Sequence, residues 1–340
     1  MSKMFRYEYV QAKLHAIIGS SYVRRDIRPL IRGADVHAIA DAVLPGRQYD
    51  LPEIALARQL QEDLQSSMFN ILRRILKVLS PAPPVLVHLF RLYEFRMVRT
   101  FAASILHSTD GELDQRKVRI EPFWDLKEHA NLKLKPDAEY SIDVLQGSIY
   151  EWVLDAMQKD DVFQIEVMLD RKYFAELLEL ARAVRGSEGK SVRDLVELEI
   201  NLQNYVWILR LRTYFKWTSE QIVPLLVPVG RRFPDRNTRA LLEMQLDAIE
   251  PMGTFRHSWL FASQPTVDFR RIDPALAEQE AELHLFRAAR ALFYGNPFSL
   301  GLVYAFCKLK QFEVSRLTTV LEGIKMMLPE DELIAAVGTL

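Results

Sequence analysis

Apolar residues recur every three to four positions along most of the chain, the period of an α-helix with one face turned to a core. In the stretch that opens at Asp273, Leu276, Leu283, Phe286 and Phe293 keep this period, while Glu278, Glu280, Glu282, Arg287 and Arg290 supply charge. Asp273 before Pro274 reads as an N-cap with proline at the first helical position, and Gly295-Asn296-Pro297 reads as the stop. Similar patterns predict helices over 7–18, 51–79, 85–106, 146–157, 171–184, 191–214 and 301–327. Thr218-Ser219-Glu220-Gln221 has the spacing of a capping box, and Pro329-Glu330-Asp331-Glu332 places proline and acids in a first turn. Period-two alternation never extends beyond a few residues, so the expected fold is all-α.

The breaks organise these helices. Pro81, Pro83 and Pro84 remove backbone donors and end one helix before the next begins. Turn signals fill 107–141 (Asp110-Gly111, Glu121-Pro122, Lys135-Pro136), and a second break runs from Val223-Pro224 to Phe233-Pro234; a domain boundary is expected at each. Sliding the chain on itself pairs Glu199-Ile200-Asn201-Leu202 with Gln311-Phe312-Glu313-Val314, so that Asn201 meets Glu313 at an offset of 112 residues. Leu92-Tyr93-Glu94-Phe95 lies 107 residues before the first of these, counting Glu94 to Asn201. The expectation is three helical repeats, 1–113, 114–225 (with 114–141 an irregular connection) and 226–340.

Composition supports a globular, helix-rich chain: 49% of the 340 residues are hydrophobic and only 13 are glycine. The net charge of −1 gives no global field for nucleic acid or an acidic membrane. One cysteine, Cys307, excludes an intrachain disulfide and a thiolate zinc cluster, and points to a reducing compartment. The charged amino terminus does not resemble a signal peptide, and no apolar run is long enough to span a bilayer.

The chain offers few groups arranged for chemistry. Gly186-Ser187-Glu188-Gly189-Lys190-Ser191 has Val184 where a phosphate-binding loop needs its first glycine, and it follows a helical run, not a strand; a flexible interhelical loop with a C-cap glycine is expected. The seven histidines show no pairing on one helix face that would bind metal, and Glu128-His129 and Glu280 with His284 suit surface ion pairs better than acid–base catalysis. Cys307, in an apolar run, reads as a buried, inert thiol, and the aromatic series Tyr205, Trp207, Tyr214, Phe215, Trp217 reads as core. No catalytic, cofactor-binding or metal-binding residue is assigned. Two basic clusters remain: Arg231, Arg232, Arg236 and Arg239, and Arg24-Arg25 with Arg28 and Arg32. They suit phosphate or an acidic protein surface, with protein contact or plain solvation favoured over nucleic acid.

Four segments carry a family resemblance: Tyr7-Glu8-Tyr9-Val10-Gln11-Ala12-Lys13-Leu14; Ile165-Glu166-Val167-Met168-Leu169-Asp170-Arg171-Lys172-Tyr173-Phe174; Glu199-Ile200-Asn201-Leu202-Gln203-Asn204; and Tyr304 through Leu317. In this order they resemble the C-subunit family of V-type and A-type rotary ATPases, whose eukaryotic V-ATPase member is known as the d subunit. The resemblance implies three similar helical-bundle domains around a pseudo-threefold axis, shaped as a funnel. It implies a non-catalytic rotor subunit of the central stalk, without cofactor. One copy per complex would join central shaft subunits of the D/F type to the membrane proteolipid ring, at the cytoplasmic face of the membrane. The acid-x-x-Asn pattern of the family is incomplete in all three places (Glu94/Met97, Asn201/Asn204, Glu313/Arg316), where packing and capping roles are expected. Within the implied interface, Arg231, Arg232, Arg236 and Arg239 are the expected contacts, because they follow a break that would sit at a bundle end. A free helical-repeat scaffold that binds other proteins is the alternative function class.

Overall fold

The computed structural model describes residues 3–33, 35–108, 113, 115–119, 131–132, 134–135, 138–159, 162–244, 256–264 and 272–337. Among them are thirteen α-helices: α1 (Lys3–Ser20), α2 (Arg28–Gly33), α3 (Val36–Val43), α4 (Glu53–Val78), α5 (Pro84–His107), α6 (Val153–Met157), α7 (Val162–Ala183), α8 (Gly186–Tyr214), α9 (Ser219–Ile222), α10 (Arg236–Glu243), α11 (Pro274–Phe293), α12 (Leu300–Lys325) and α13 (Glu330–Val337). The described strands are two residues each, β1 (Val118–Arg119) and β2 (Glu139–Tyr140), paired antiparallel with Val118 opposite Tyr140. The fold is all-α, as the periodicity predicts.

Local chemistry accounts for several helix ends. Ala275 N–H donates to Asp273 Oδ1 at 2.8 Å at the start of α11, and the box at Thr218 is closed by Thr218 N–H donating to Gln221 Oε1 at 2.9 Å. Where the sequence predicts a helix over 146–157, only Val153–Met157 is α-helical. Gly147, at φ +66, lies in the left-handed region and breaks the run into turns. Helix α7 begins nine residues before the predicted 171, while α2, α3 and α10 are too short to produce a periodic window.

Contacts group the described residues into two compact units, and the division falls inside α5 and α11. One unit holds the residues up to Val87 and those from Ala289; the other holds those between His88 and Ala288. In the first, α4 packs along α12, with α1 against both and α13 on α12. Helix α4 buries Leu56, Leu60, Leu64, Met68 and Leu72 at four-residue spacing. Helix α12 is buried on every side from Gly301 to Leu309, which explains why that stretch carries so little polarity. Each such leucine or phenylalanine contributes about 1.5–3 kcal/mol of burial.

In the second unit α7 pairs with α8, α6 lies on α7 and α10 on α8. His88, only 1% exposed, has Nε2 2.9 Å from the Tyr173 carbonyl and its ring stacked on Tyr173 at 5.0 Å. A carbonyl can only accept, so Nε2 carries the proton. Burial pushes the pKa of His88 below the usual histidine value, and burial does the same for His257 and His284. Unfolded, these rings titrate near about 6.5. Below that pH the unfolded chain binds more protons than the folded one, so stability is complete above it and declines as the pH falls toward the folded values. The urea midpoint is therefore expected to be lower at about pH 5.5 than at about pH 7.5; an unchanged midpoint contradicts neutral burial of these rings.

Candidate functional site

Three long helices each carry, within an apolar stripe, a buried polar side chain that fastens a connecting segment. Glu94 on α5 is 0% exposed. Its carboxylate accepts from the backbone N–H groups of Asn131 and Leu132, both at 2.8 Å, from Asn131 Nδ2 at 2.7 Å and from the Tyr150 hydroxyl at 2.9 Å. Burial and this carboxylate together raise the Tyr150 pKa far above its ordinary range, which keeps the hydroxyl a donor. Asn204 on α8 accepts from Val227 N–H at 3.0 Å and donates through Nδ2 to the Val227 carbonyl at 2.8 Å, satisfying both backbone groups of one buried residue. Glu313 on α12 accepts from Ser21 Oγ at 2.7 Å and Tyr22 N–H at 2.6 Å, and pairs with Lys310. In the middle helix the anchoring residue is thus Asn204; Asn201, the residue paired with Glu313 by sequence, is half-buried. The three anchors lie 110 and 109 residues apart in sequence.

The basic segment expected at an interface is solvent-exposed at all four positions, Arg231, Arg232, Arg236 and Arg239. Arg236 is the first residue of α10 and Arg239 lies one turn on, with Asp235 as N-cap accepting from Thr238 N–H at 2.8 Å. Arg239 Nε donates to the Pro234 carbonyl at 2.9 Å. Cations in a helix's first turn oppose its dipole, so their placement there does not serve α10 itself. At the other end of α10, Arg212 donates to the carbonyls of Leu241 and Met244 at 2.5 and 2.6 Å and ties that end to α8.

The remaining candidates resolve into structure. Residues 186–191 form the start of α8, so the flexible loop expected there is corrected: Gly186 at φ +77 makes the sharp reversal after α7, and the helix begins at once. A Cβ on Gly189 would lie 1.9 Å from the Val184 carbonyl oxygen, a clash with backbone that no rotamer relieves. The glycines here allow two helices to meet closely, and Gly189→Ala is expected to cost about 1–3 kcal/mol in a urea melt; a loss below about 0.5 kcal/mol contradicts that contact. His284 stacks on Trp259 at 4.0 Å, and Glu280 accepts from Ser263. Glu128-His129 lies outside the described residues. Cys307 is 1% exposed, with burial raising its pKa, as an inert thiol requires. The aromatic series is only partly core: Tyr205 is buried, but Tyr214 and Phe215 are exposed where α8 ends, with Phe163, Phe215 and Trp217 in mutual contact. Among the described residues no group of three or more His, Cys, Asp or Glu is placed to hold a metal, and no helix is long and apolar enough to cross a membrane.

Fold and site together describe an all-helical protein whose buried polar chemistry fastens turns to long helices. The chain belongs to the ATP synthase (C/AC39) subunit family, whose profile matches residues 10–335. It is similar to the C subunit of the A-type ATP synthase of Methanosphaera stadtmanae, at 20% identity over 337 residues covering 94% of this chain and 84% of that protein. The corresponding A-type C subunits of Archaeoglobus fulgidus (24% over 200 residues, 59% of this chain and 56% of that protein) and Pyrococcus horikoshii (25% over 191 residues, 54% and 50%) align over shorter stretches.

Proposed function

We propose that this chain is a non-catalytic rotor subunit of a V/A-type ion-translocating ATPase, joining the central shaft to the membrane proteolipid ring. The observation that carries this is the family match across residues 10–335, with relatives named as C subunits of A-type ATP synthases. One copy would stand in each complex on the cytoplasmic face, with D/F-type shaft subunits on one side and the ring on the other; hydrolysis or synthesis of ATP would occur in other subunits.

The local construction suits a part that passes torque. Helices of 26 and 29 residues extend about 40 Å, and close packing leaves little compliance between them. The anchors at Glu94, Asn204 and Glu313 fix turns that would otherwise yield first under load. Their near-equal spacing, one in each of 1–113, 114–225 and 226–340, supports three repeats. The order of their partners supports it too: Glu94 holds Asn131 and Leu132, Asn204 holds Val227, and Glu313, in the last segment, holds Ser21 and Tyr22 in the first.

Within this function the exposed arginines Arg231, Arg232, Arg236 and Arg239 meet the ring. Charge contacts of this kind set association rate and register and weaken with salt. Replacing all four by glutamate is expected to release the protein from ring-containing membranes while its circular dichroism stays unchanged. Retention of the quadruple variant at moderate salt would assign the segment to a solvated surface and move the docking face elsewhere.

A further inference from the structure

The second basic cluster acquires a shape that its sequence does not reveal. Arg24, Arg25 and Arg28 follow α1, and in the structure they line a cavity of about 390 Å³ together with Arg290 from α11 and Arg316 from α12. Val23, Ile27, Ile31 and Ile334 supply an apolar wall. Asp26 is the carboxylate in the described lining, and it is already held by Arg28, whose Nε lies 2.9 and 2.8 Å from its two oxygens and whose Nη2 lies 2.8 Å away. The lining therefore keeps an excess of fixed positive charge, carried by guanidinium groups from three separate elements.

We propose that this cavity binds a phosphate-class dianion, with Arg24, Arg25, Arg290 and Arg316 as its ligands. Guanidinium groups present paired donors that match the oxygens of a phosphate, and they remain charged at any physiological pH. Arg316 is half-buried, and its Nε donates to the Val337 carbonyl at 3.3 Å, which fixes the side chain beside α13. Burial pulls its pKa below the usual arginine value while Asp26 acts against that shift, and a bound anion would add to the same effect. Arg24, Arg25 and Arg290 are solvent-exposed and would turn toward the ligand, while Arg28 stays with Asp26. The concave form decides between the two chemistries open to this cluster: cations spread on a face suit a protein's carboxylates, whereas cations converging on a small cavity suit a compact anion. This site is independent of the rotor function and lies far in sequence from Arg231–Arg239.

Isothermal titration of the full chain with pyrophosphate at low ionic strength tests the assignment. One saturable site per chain is expected, with orthophosphate competing. Arg24→Gln with Arg290→Gln, both exposed and so outside the packed core, is expected to weaken binding roughly tenfold or more with circular dichroism and Tm unchanged. Absence of saturable binding, or equal binding by the double variant, overturns the proposal. Phosphatidylcholine vesicles carrying phosphatidic acid separate a headgroup from a free phosphate: sedimentation that pyrophosphate competes away extends the site to the headgroup, and sedimentation that it leaves untouched contradicts the site. Binding of hexaglutamate without binding of pyrophosphate also overturns it, in favour of a protein partner.

Discussion

Omitting this chain from a reconstituted rotary ATPase is expected to abolish ATP-driven ion transport while ATP hydrolysis by the catalytic head persists. On the proposed function the chain is the joint between shaft and ring. Its loss leaves each end with its own chemistry and no mechanical connection. Hydrolysis needs only the nucleotide sites and the shaft inside the head, whereas transport needs the ring to turn with that shaft. A proton- or sodium-sensitive dye in vesicles, read beside phosphate release, separates the two activities. Parallel loss of both would assign the chain a part in the head, and transport undiminished by its omission would remove it from the torque path.

The largest expected effect of a single substitution is at Glu94. Its carboxylate, 0% exposed, accepts four hydrogen bonds, among them those of the buried Leu132 N–H and Tyr150 hydroxyl. Glu94→Ala removes every acceptor at once and leaves buried donors unsatisfied, at about 3–5 kcal/mol. Against a total stability of about 5–15 kcal/mol, that is enough to loosen the 131–132 turn or the whole unit. Glu94→Gln keeps the volume but turns one amide N–H₂ toward donors, and about 2 kcal/mol is expected. Glu278→Ala serves as the contrast: its ion pair with Arg210 is partly exposed on both sides, so the change stays within about 1 kcal/mol. Urea denaturation orders the three variants, and a Glu94→Ala midpoint close to that of Glu278→Ala would contradict the anchoring role.

Part of this device is visible in the residue pattern alone. Phe90, Glu94, Met97 and Phe101 occupy successive buried positions on α5, as do Leu309, Glu313, Leu317 and Val320 on α12 and Ile200, Asn204, Ile208 and Leu211 on α8. A charged or amide side chain inside an apolar stripe at helical spacing is legible from sequence, and it implies the capping and packing roles that these residues fill. The register is not legible: Asn201 and Asn204 both fit the local pattern, and only burial against Val227 selects Asn204. Partners far along the chain, such as Tyr150 for Glu94 or Ser21 for Glu313, leave no periodic trace. The long helices announce themselves because twenty or more residues repeat one signal, whereas α2 and α3, of six and eight residues, complete about two turns and give none. At 146–157 the apolar spacing misleads because Gly147 adopts positive φ, which the periodicity of its neighbours does not register. The exposure of Tyr214 and Phe215 shows the converse limit, since composition cannot tell where a helix outruns its core.

Retention of the shaft on ring-containing membranes decides whether this chain connects shaft to ring. Membranes carrying the proteolipid ring are mixed with purified D/F-type shaft subunits, with and without this chain, and sedimented. The shaft is expected to pellet only when the chain is present, in about equal amounts with it. A shaft that pellets equally well without the chain, or a chain that pellets alone and recruits no shaft, would contradict it.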